Sequence, residues 1–378
     1  MKQTIKIIFI YLTRCLLRLL FIFPINNKKI CFISFGGRAI TCNPKYIYLY
    51  MQKNNKDFKF IWLSKKRNKS ENLENNTKIV KYISLSAFFH LATSKYIITN
   101  YSMIIRPPIR KKQIYVNTWH GGGAYKKVGL VQSTLEKKRI NITFNLLAKE
   151  TTYLISSCKI QSEVQKNTMR LNNEQILNIG FPRNDIFFTD FSHYSNIIKK
   201  YYYIPEKTKI LLYAPTYRGV SGNFSENASL DIQKVLFTLK NKFNSDFICL
   251  YRGHYYIHDQ KLDNTINASD YPDMQELLCA ADVLITDYSS SIWDFSFTKK
   301  PCFLYTPDLE QYKNERDFYT DISKWGFTYS KNTLELIKNI ESFDQNEYNK
   351  KIEEAHKFFG SYEDGKASER FIEKIFKI

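Results

Sequence analysis

The chain has 378 residues, of which 44% are hydrophobic and 16% are aromatic. This composition excludes a disordered or fibrous chain, and at roughly 100–200 residues per domain the length indicates two domains. The net charge of +20 favours an anionic partner, either nucleic acid, a membrane surface or a phosphate-rich substrate, although a generically basic protein is the plain alternative. No nucleic-acid-binding signature occurs, so nucleic acid is the poorest of these partners.

The seven cysteines are scattered and odd in number, and they form no CxxC pair. Several lie inside apolar runs, such as Cys31 in KICFIS and Cys249 in FICLY. This pattern predicts buried free thiols in a reducing compartment and argues against a zinc site.

Residues 4–24 form the most apolar stretch of the chain. Arg14 and Arg18 are four residues apart and therefore share one face of a helix. We predict that residues 1–27 form an amphipathic segment that lies in the membrane interface with its arginines toward lipid phosphates. The alternatives are a helix packed on the protein's own core and, against the interrupting charges, a spanning helix. A signal peptide is disfavoured because no small-residue cleavage site follows.

Short apolar runs alternate with longer periodic stretches along the rest of the chain, which predicts parallel sheets covered by helices. Predicted strands of the first half are 29–35, 58–64, 77–83, 95–100, 113–120, 151–157 and 175–180, and its predicted helices include 43–54, 85–93 and 160–171. Predicted strands of the second half are 209–215, 246–253, 282–288 and 301–306, with helices at 229–243, 273–280, 290–298, 332–342 and 346–358.

Four segments follow from this series. Residues 28–200 and 201–345 form two doubly wound, Rossmann-type α/β domains facing a cleft, with a polar linker at roughly 186–207, and residues 346–378 form C-terminal helices that pack back across the domains. Residues 1–27 are the membrane-associating segment. Ligands of such sheets bind at the carboxyl ends of strands, so the informative residues are those that follow the strands.

NTWHGGGAYKKVG, residues 117–129, follows a predicted strand. His120 can take a proton from a hydroxyl near neutral pH. Gly121 and Gly122 allow close approach of backbone to an anion, and Lys126 and Lys127 add positive charge. A tight turn with a capping histidine is the structural alternative.

GFPRNDIF, residues 180–187, forces a turn after a strand. Arg183 and Asp185 either pair with each other or reach the cleft.

Three strand ends of the second half carry further polar side chains. An arginine presents a planar fork that matches phosphate oxygens, and hydroxyls before a helix suit an anion, although a surface arginine, a structural histidine and helix-capping serines are the plain alternatives. These residues are Thr216 and Arg218, Arg252 and His254, and Asp287, Ser289 and Ser290.

Taken in order, these motifs resemble those of the CDP-glycerol glycerophosphotransferases, the teichoic-acid primases and polymerases. The matching motifs are Trp119-His120-Gly121 with Lys126-Lys127, Gly180 to Asp185, Tyr213 to Arg218, Asp282 to Ser290, and Tyr305 to Tyr312 followed by Phe318-Tyr319. SFGGRAITCNPKYIY looks like the family's first strand, loop and helix, so the resemblance covers about residues 29–378.

The resemblance implies a GT-B fold and a peripheral enzyme on the cytoplasmic face of the membrane. It implies transfer of a polyol phosphate from CDP-glycerol to a lipid-linked teichoic-acid or capsule-type acceptor, with release of CMP. His120 would be the base, Asp287 would orient the donor or His254, and the diphosphate would be held by His254, Thr216, Arg218, Ser289 and Ser290. No Asp-x-Asp motif appears, so neither a metal nor a cofactor is expected beside the CDP-activated donor.

Two departures from the family pattern bear on the substrate. Gly122-Gly123-Ala124-Tyr125 replaces the usual Thr-Pro-Leu-Lys, and Tyr255 rather than proline follows His254. Cys42 also stands where the family tends to have an acidic residue. Glycerol, ribitol or another polyol, and one addition or many, therefore stay open.

Two other functions share parts of this pattern. A GT-B glycosyltransferase with a nucleotide-sugar donor has the same fold, and fold does not fix function. A catalytically inactive membrane scaffold would keep the charge and the amino-terminal segment, but His120 and His254 in their motifs argue against it.

Overall fold

The computed structural model describes residues 2–54, 57–65, 74–101, 108–127, 137–216, 230–253 and 262–377. The chain divides into two compact units. The first unit contains residues 1–120, 128–185 and 362–378, and the second contains residues 121–127 and 186–361. Neither unit is one continuous stretch of sequence.

Each unit contains a parallel sheet. In the first, the described strands run in the order β3-β2-β1-β4-β5-β6-β7, and in the second β10-β9-β8-β11-β12-β13. Their bounds are β1 Asn26–Ile33, β2 Lys59–Ser64, β3 Thr77–Lys81, β4 Ser94–Thr99, β5 Ile114–Asn117, β6 Tyr153–Ser156, β7 Ile176–Asn178, β8 Lys209–Tyr213, β9 Phe247–Tyr251, β10 Thr265–Asn267, β11 Val283–Thr286, β12 Cys302–Tyr305 and β13 Thr328–Ser330. An α/β fold with two parallel sheets is thereby confirmed.

Helices connect most of these strands, as parallel pairing requires. Their bounds are α1 Lys2–Arg18, α2 Cys42–Asn54, α3 Leu85–Thr93, α4 Lys137–Glu150, α5 Lys159–Met169, α6 His193–Tyr201, α7 Ile232–Phe243, α8 Met274–Ala280, α9 Ser291–Ser296, α10 Leu309–Glu315, α11 Thr333–Glu341, α12 Gln345–Phe359 and α13 Ala367–Phe376. Several begin at polar caps: the side chains of Ser84, Asn332 and Asp344 accept from backbone N–H groups three residues on.

The central strands are apolar on both faces because helices cover both faces. Alternate residues of β1 enter different cores: Ile30 and Phe32 pack in one, while Cys31 and Ile33 pack in the other. Phe32 stacks on Trp62 of β2 with 4.9 Å between ring centroids. This burial on both faces explains why the strands appear in the sequence as continuous apolar runs.

The strand order reverses between β1 and β4 in the first sheet and between β8 and β11 in the second. At such a point the crossover helices leave on opposite faces, and the strand ends frame a crevice in which ligands bind. Residues just after these four strands are therefore the first candidates for function.

The amino-terminal segment differs from its prediction. α1 ends at Arg18, and a 3₁₀ turn continues over Leu19–Ile22. Arg14 is buried, and its guanidinium pairs with Glu150 at the end of α4. The prediction that both arginines face lipid was therefore wrong for Arg14, because a carboxylate in the first unit binds it instead.

The boundaries between the two units also differ from the predicted domain boundaries. The predicted division at 200–201 falls at 185–186, and the predicted linker contains α6, whose Tyr201 packs edge-on against Tyr271 at 5.2 Å. The predicted C-terminal segment is shared, since α12 lies in the second unit and α13 in the first. None of the helices in the described ranges has both the length and the apolar character needed to cross a bilayer.

Candidate active site

His120 follows β5 at the edge where the strands of the first sheet end. The Thr118 N–H donates to the Thr99 carbonyl at 2.6 Å, which continues the pairing with β4. Trp119 then takes a left-handed conformation with φ 52°, and its N–H donates to Asn117 Oδ1 at 3.0 Å. The sequence makes a tight turn here, and that turn sets the position of His120.

The ring of His120 is held in one orientation by a backbone carbonyl. Nδ1 lies 2.9 Å from the oxygen of Asn100, which follows β4. Because a carbonyl only accepts, the neutral ring carries its hydrogen on Nδ1 and has its lone pair on Nε2. Histidine in this tautomer is suited to accept a proton at Nε2.

Aromatic rings surround the imidazole. The centroid of Trp119 lies 4.7 Å from that of His120, and those of Phe35 and Tyr101 lie 5.6 and 5.7 Å away. Phe35 follows β1, and its N–H donates to Asn100 Oδ1 at 2.8 Å. Asn100 thus ties the end of β1 to the histidine at the reversal of the first sheet.

Arg183 and Asp185 have separate partners. The Arg183 guanidinium is buried and donates to the His120 carbonyl at 2.7 Å and to Cys42 Sγ at 3.1 Å. The Asp185 carboxylate accepts from the N–H groups of Ala367 and Ser368 at 2.9 and 2.7 Å, which caps the start of α13. Burial raises the pKa of Asp185. Asp185 therefore caps α13, whereas Arg183 binds the backbone of the loop that carries His120, which we call the histidine loop.

Residues 121–127, which follow His120, belong to the second unit. A Cβ on Gly122 would come within 2.2 Å of the Trp293 ring, and Gly123 has φ 66°. Both glycines are thus required by packing and backbone conformation. The role of Gly121 and Gly122 in the close approach of an anion stays a prediction.

The two lysines of this loop are anchored next to residues 317–319. Lys126 forms an antiparallel bridge with Phe318. The Lys127 ammonium pairs with Asp317 and lowers the pKa of that carboxyl. Lys127 therefore shares its charge with a neighbouring carboxylate, and its role toward a substrate phosphate stays a prediction.

In the second sheet, Thr216 and Asp287 meet at the point where the strand order reverses. Thr216 follows β8 and donates to the buried Asp287 carboxylate from both its N–H and its hydroxyl, each at 3.0 Å. Arg218 and His254 lie outside the described residues. Arg252 donates to the carbonyls of Ala268 and Tyr271 at 3.1 and 2.8 Å, so it holds the loop after β10.

Ser289 and Ser290 lead from β11 into α9, and both are half-buried. Ser289 Oγ accepts from the N–H and from the hydroxyl of Ser291 at 3.3 and 2.9 Å. The N-cap of α9 is Ser290, whose side chain makes no capping hydrogen bond, so Ser289 supports the start of the helix from one residue before the cap. Capping and anion binding are compatible, so their role toward a diphosphate stays a prediction.

Three residues that contact this site were not predicted from the sequence: Asn43, Asn100 and Trp293. Asn100 carried a usable signal, because it is a polar residue directly after an apolar strand, like the residues that were chosen. Asn43 and Trp293 carried none, since their contacts with the histidine loop and with Gly122 arise only in three dimensions.

The cysteines are all free thiols, and only Cys15 is exposed. Burial raises the pKa of Cys31, Cys158 and Cys249 to about 12, so these thiols are unreactive. In the part of the chain that the structure describes, no three His, Cys, Asp or Glu side chains cluster as metal ligands.

Comparison with known proteins agrees with this geometry. The family model of CDP-glycerol:poly(glycerophosphate) glycerophosphotransferases matches residues 15–377. A teichoic acid poly(glycerol phosphate) polymerase of Bacillus spizizenii is 30% identical over 95% of this chain and 94% of its own. A teichoic acid glycerol-phosphate transferase of Staphylococcus aureus is 30% identical over 100% of both chains.

A solved structure gives the same result. A variant of the wall teichoic acid polymerase TagF, soaked with CDPG, superposes with a TM-score of 0.82 and 28% identity over 100% of this chain and 97% of that chain. The sequence motifs, the two parallel sheets and these similarities agree, and the chain is an enzyme that belongs to the CDP-glycerol:poly(glycerophosphate) glycerophosphotransferase family.

Proposed function

We propose that this enzyme transfers glycerol phosphate from CDP-glycerol to a membrane-linked teichoic-acid or capsule-type polymer or primer. The observation that carries the mechanism is the contact between His120 Nδ1 and the Asn100 carbonyl. It places the lone pair on Nε2, where a base needs it. The donor and the class of acceptor are inferred from the family to which the chain belongs.

In the proposed step, His120 Nε2 takes the proton of an acceptor hydroxyl. The hydroxyl oxygen attacks the β-phosphorus of CDP-glycerol and forms a new phosphodiester bond. The bond from the β-phosphorus to the bridging oxygen breaks, and CMP leaves with the electron pair. Such transfer depends on positioning and charge stabilisation more than on covalent catalysis, and we propose that it needs no metal ion.

The donor diphosphate is assigned to the strand ends of the second sheet. Thr216 and Asp287 are fixed to each other there, and Ser289 and Ser290 follow at the start of α9. The proposal includes Arg218 and His254, which follow predicted strands of the same half of the chain. A rigid, hydroxyl-rich strand end suits phosphate oxygens that must be held in one orientation.

We further propose that α1 and its 3₁₀ turn lie in the interface of an anionic membrane, on the cytoplasmic face. With Arg14 turned to Glu150, an apolar stripe is left exposed; its members are Ile8, Leu12, Leu16, Leu19 and Ile22, each 57–81% exposed. The end of this segment is fixed because Arg110 donates to the Phe23 carbonyl at 2.7 Å. A supported apolar stripe on a basic protein matches the chemistry of a lipid surface.

The first experiment is CMP release by detergent-purified enzyme from CDP-glycerol or CDP-ribitol, with a lipid-linked acceptor and EDTA. We expect release with CDP-glycerol and a loss of about 10²–10⁴-fold in kcat for His120→Gln, the usual contribution of a general base. His193→Gln is the matched control, because His193 is exposed on α6.

Three outcomes would contradict parts of the proposal. Release with CDP-ribitol alone would change the polyol, and loss of release in EDTA would show a metal requirement. No release with either donor, together with turnover of a nucleotide sugar, would favour the glycosyltransferase.

A further inference from the structure

We infer that Arg183 is a positioning residue for His120, and that the C-terminal segment from Tyr362 holds Arg183 in place. The inference rests on the proposed role of His120 as the base. It assigns a catalytic consequence to the Gly180–Asp185 turn, which the sequence analysis treated as a structural turn or a part of the cleft.

The backbone around His120 is held by two buried side chains. Asn43 Nδ2 donates to the carbonyls of Thr118 and Trp119 at 2.9 and 3.3 Å. The Arg183 guanidinium donates to the next carbonyl, that of His120, at 2.7 Å. Three consecutive carbonyls are thereby fixed, while Asn100 fixes the ring.

These two residues are also joined to each other. The backbone N–H of Arg183 donates to Asn43 Oδ1 at 3.2 Å. Asn43 is fully buried and Arg183 is only 4% exposed. Burial of a guanidinium is costly unless its N–H groups are satisfied. Nη1 of Arg183 donates to both the His120 carbonyl and Cys42 Sγ, which offsets part of this cost, while the buried Nε makes no hydrogen bond among the described residues.

Glu363 holds the Gly180–Asp185 turn, which carries Arg183. The Glu363 carboxylate accepts from the Phe181 N–H at 2.9 Å and from Asn184 Nδ2 at 3.1 Å. Gly180 has φ 80°, and a Cβ there would come within 2.8 Å of that carboxylate. Asp185 adds a second anchor through the N–H groups at the start of α13.

These contacts therefore connect the C-terminal segment, through the Gly180–Asp185 turn, to the backbone carbonyl of His120. All its members lie in the first unit. A displacement of about 1 Å at a reacting group costs on the order of 10²-fold in rate. Loss of the Arg183 contact is expected to act on catalysis rather than on donor binding.

The test compares Arg183→Gln with Arg183→Lys, which keeps a charged donor. In the CMP-release assay we expect Arg183→Gln to lower kcat by about 100-fold with KM for CDP-glycerol within about twofold, and Arg183→Lys to restore part of kcat. Arg170→Gln is the matched control, since Arg170 is an exposed arginine of the first unit whose guanidinium donates to Asn145 rather than to the turn or the C-terminal segment. It should leave kcat and KM unchanged.

Either of two results would overturn the inference: kcat per folded Arg183→Gln enzyme equal to wild type, or an effect confined to KM. A readout independent of turnover is ¹⁵N NMR of histidine-labelled protein, with the His120 signal assigned through His120→Gln. The wild-type ring should show hydrogen on Nδ1, and Arg183→Gln should show mixed tautomers. If wild-type enzyme releases no CMP, the proposed function fails, and an unchanged tautomer in Arg183→Gln would separately reject the positioning role.

Discussion

Single residues of the loop after His120 combine a predicted role with an observed one. Gly121 and Gly122 predict a loop that approaches an anion, and this role stays a prediction. Gly122 also faces Trp293, and Gly123 has a left-handed backbone, so at these two positions a side chain is excluded by the protein itself. The absence of a side chain at Gly122 is thus matched by the Trp293 ring, which occupies that space.

Gly122→Ala tests that match. The added Cβ would overlap the Trp293 ring, and overpacking of this kind costs about 1–3 kcal/mol of unfolding free energy. The measurement is chemical denaturation of Gly122→Ala, Trp293→Leu and the double variant. We expect the double variant to be more stable than the sum of the single effects predicts, because leucine vacates the space.

Additive effects in that cycle would show that Gly122 and Trp293 are not coupled. Gly365→Ala is a control with the same substitution, because Gly365 has a left-handed backbone and lies in the first unit, away from Trp293 in sequence and in a different unit. It should be destabilising whether or not Trp293 is replaced.

At the level of secondary-structure elements, the sequence predicted the strands that are buried on both faces. The strands β1, β2, β8 and β11 appear as apolar runs because helices cover both of their faces. β10 and β13, with the sequences TIN and TYS, were missed because they have three residues each and little apolar character. α4 was missed as well, since its charged sequence lacks a clear apolar period.

Site residues at strand ends were predictable because they directly follow strands that the apolar runs identify. The partners of those residues were not, because a hydrogen bond between Asn43 and the loop at 118–119 depends on how α2 packs beside β5. The two domains facing each other across a cleft stay a prediction.

The apolar stripe of α1 gives a prediction at this scale. Replacing Leu12 and Leu16 together by glutamate adds two negative charges to an exposed stripe, so binding to vesicles with anionic lipids should fall by at least 10-fold, at about 1 kcal/mol per charge near such a surface. Co-sedimentation with vesicles measures this directly.

Leu334→Glu is the matched control, since Leu334 is an exposed leucine on α11 in the second unit. Equal loss of binding in this control would mean that net charge, rather than the stripe, sets membrane affinity. Unchanged binding in the double variant would place the lipid contact elsewhere.

For the molecule as a whole, stability should fall in mild acid because the half-buried His356 is held in its neutral form. Its ring lies between Trp293 and Phe297, 4.9 and 4.5 Å away, and burial lowers its pKa from 6.5 to about 4. Ser296 Oγ donates to the Trp293 carbonyl, so His356 Nε2 donates to Ser296 at 2.7 Å. Glu353 and Lys299 are the charged groups that act on this ring.

The folded pKa lies below the unfolded one, so the stabilisation is complete above about pH 6.5 and is lost as the pH falls toward 4. Between pH 7 and pH 4.5 the unfolding free energy should fall by about 2 kcal/mol from this residue. Urea unfolding of wild type and His356→Gln at both pH values measures it. An identical pH dependence in the two proteins would show that His356 is not the cause.

The interleaved order of the two units along the chain has a consequence for protein synthesis. Phe371, Ile372 and Ile375 of α13 complete a core whose other members include residues of strands β1, β2 and β4. Those strands leave the ribosome more than two hundred residues before α13 does. The nascent first unit must therefore keep this apolar surface uncovered while residues 186–361 are translated, and an exposed apolar surface of this kind is what chaperones bind.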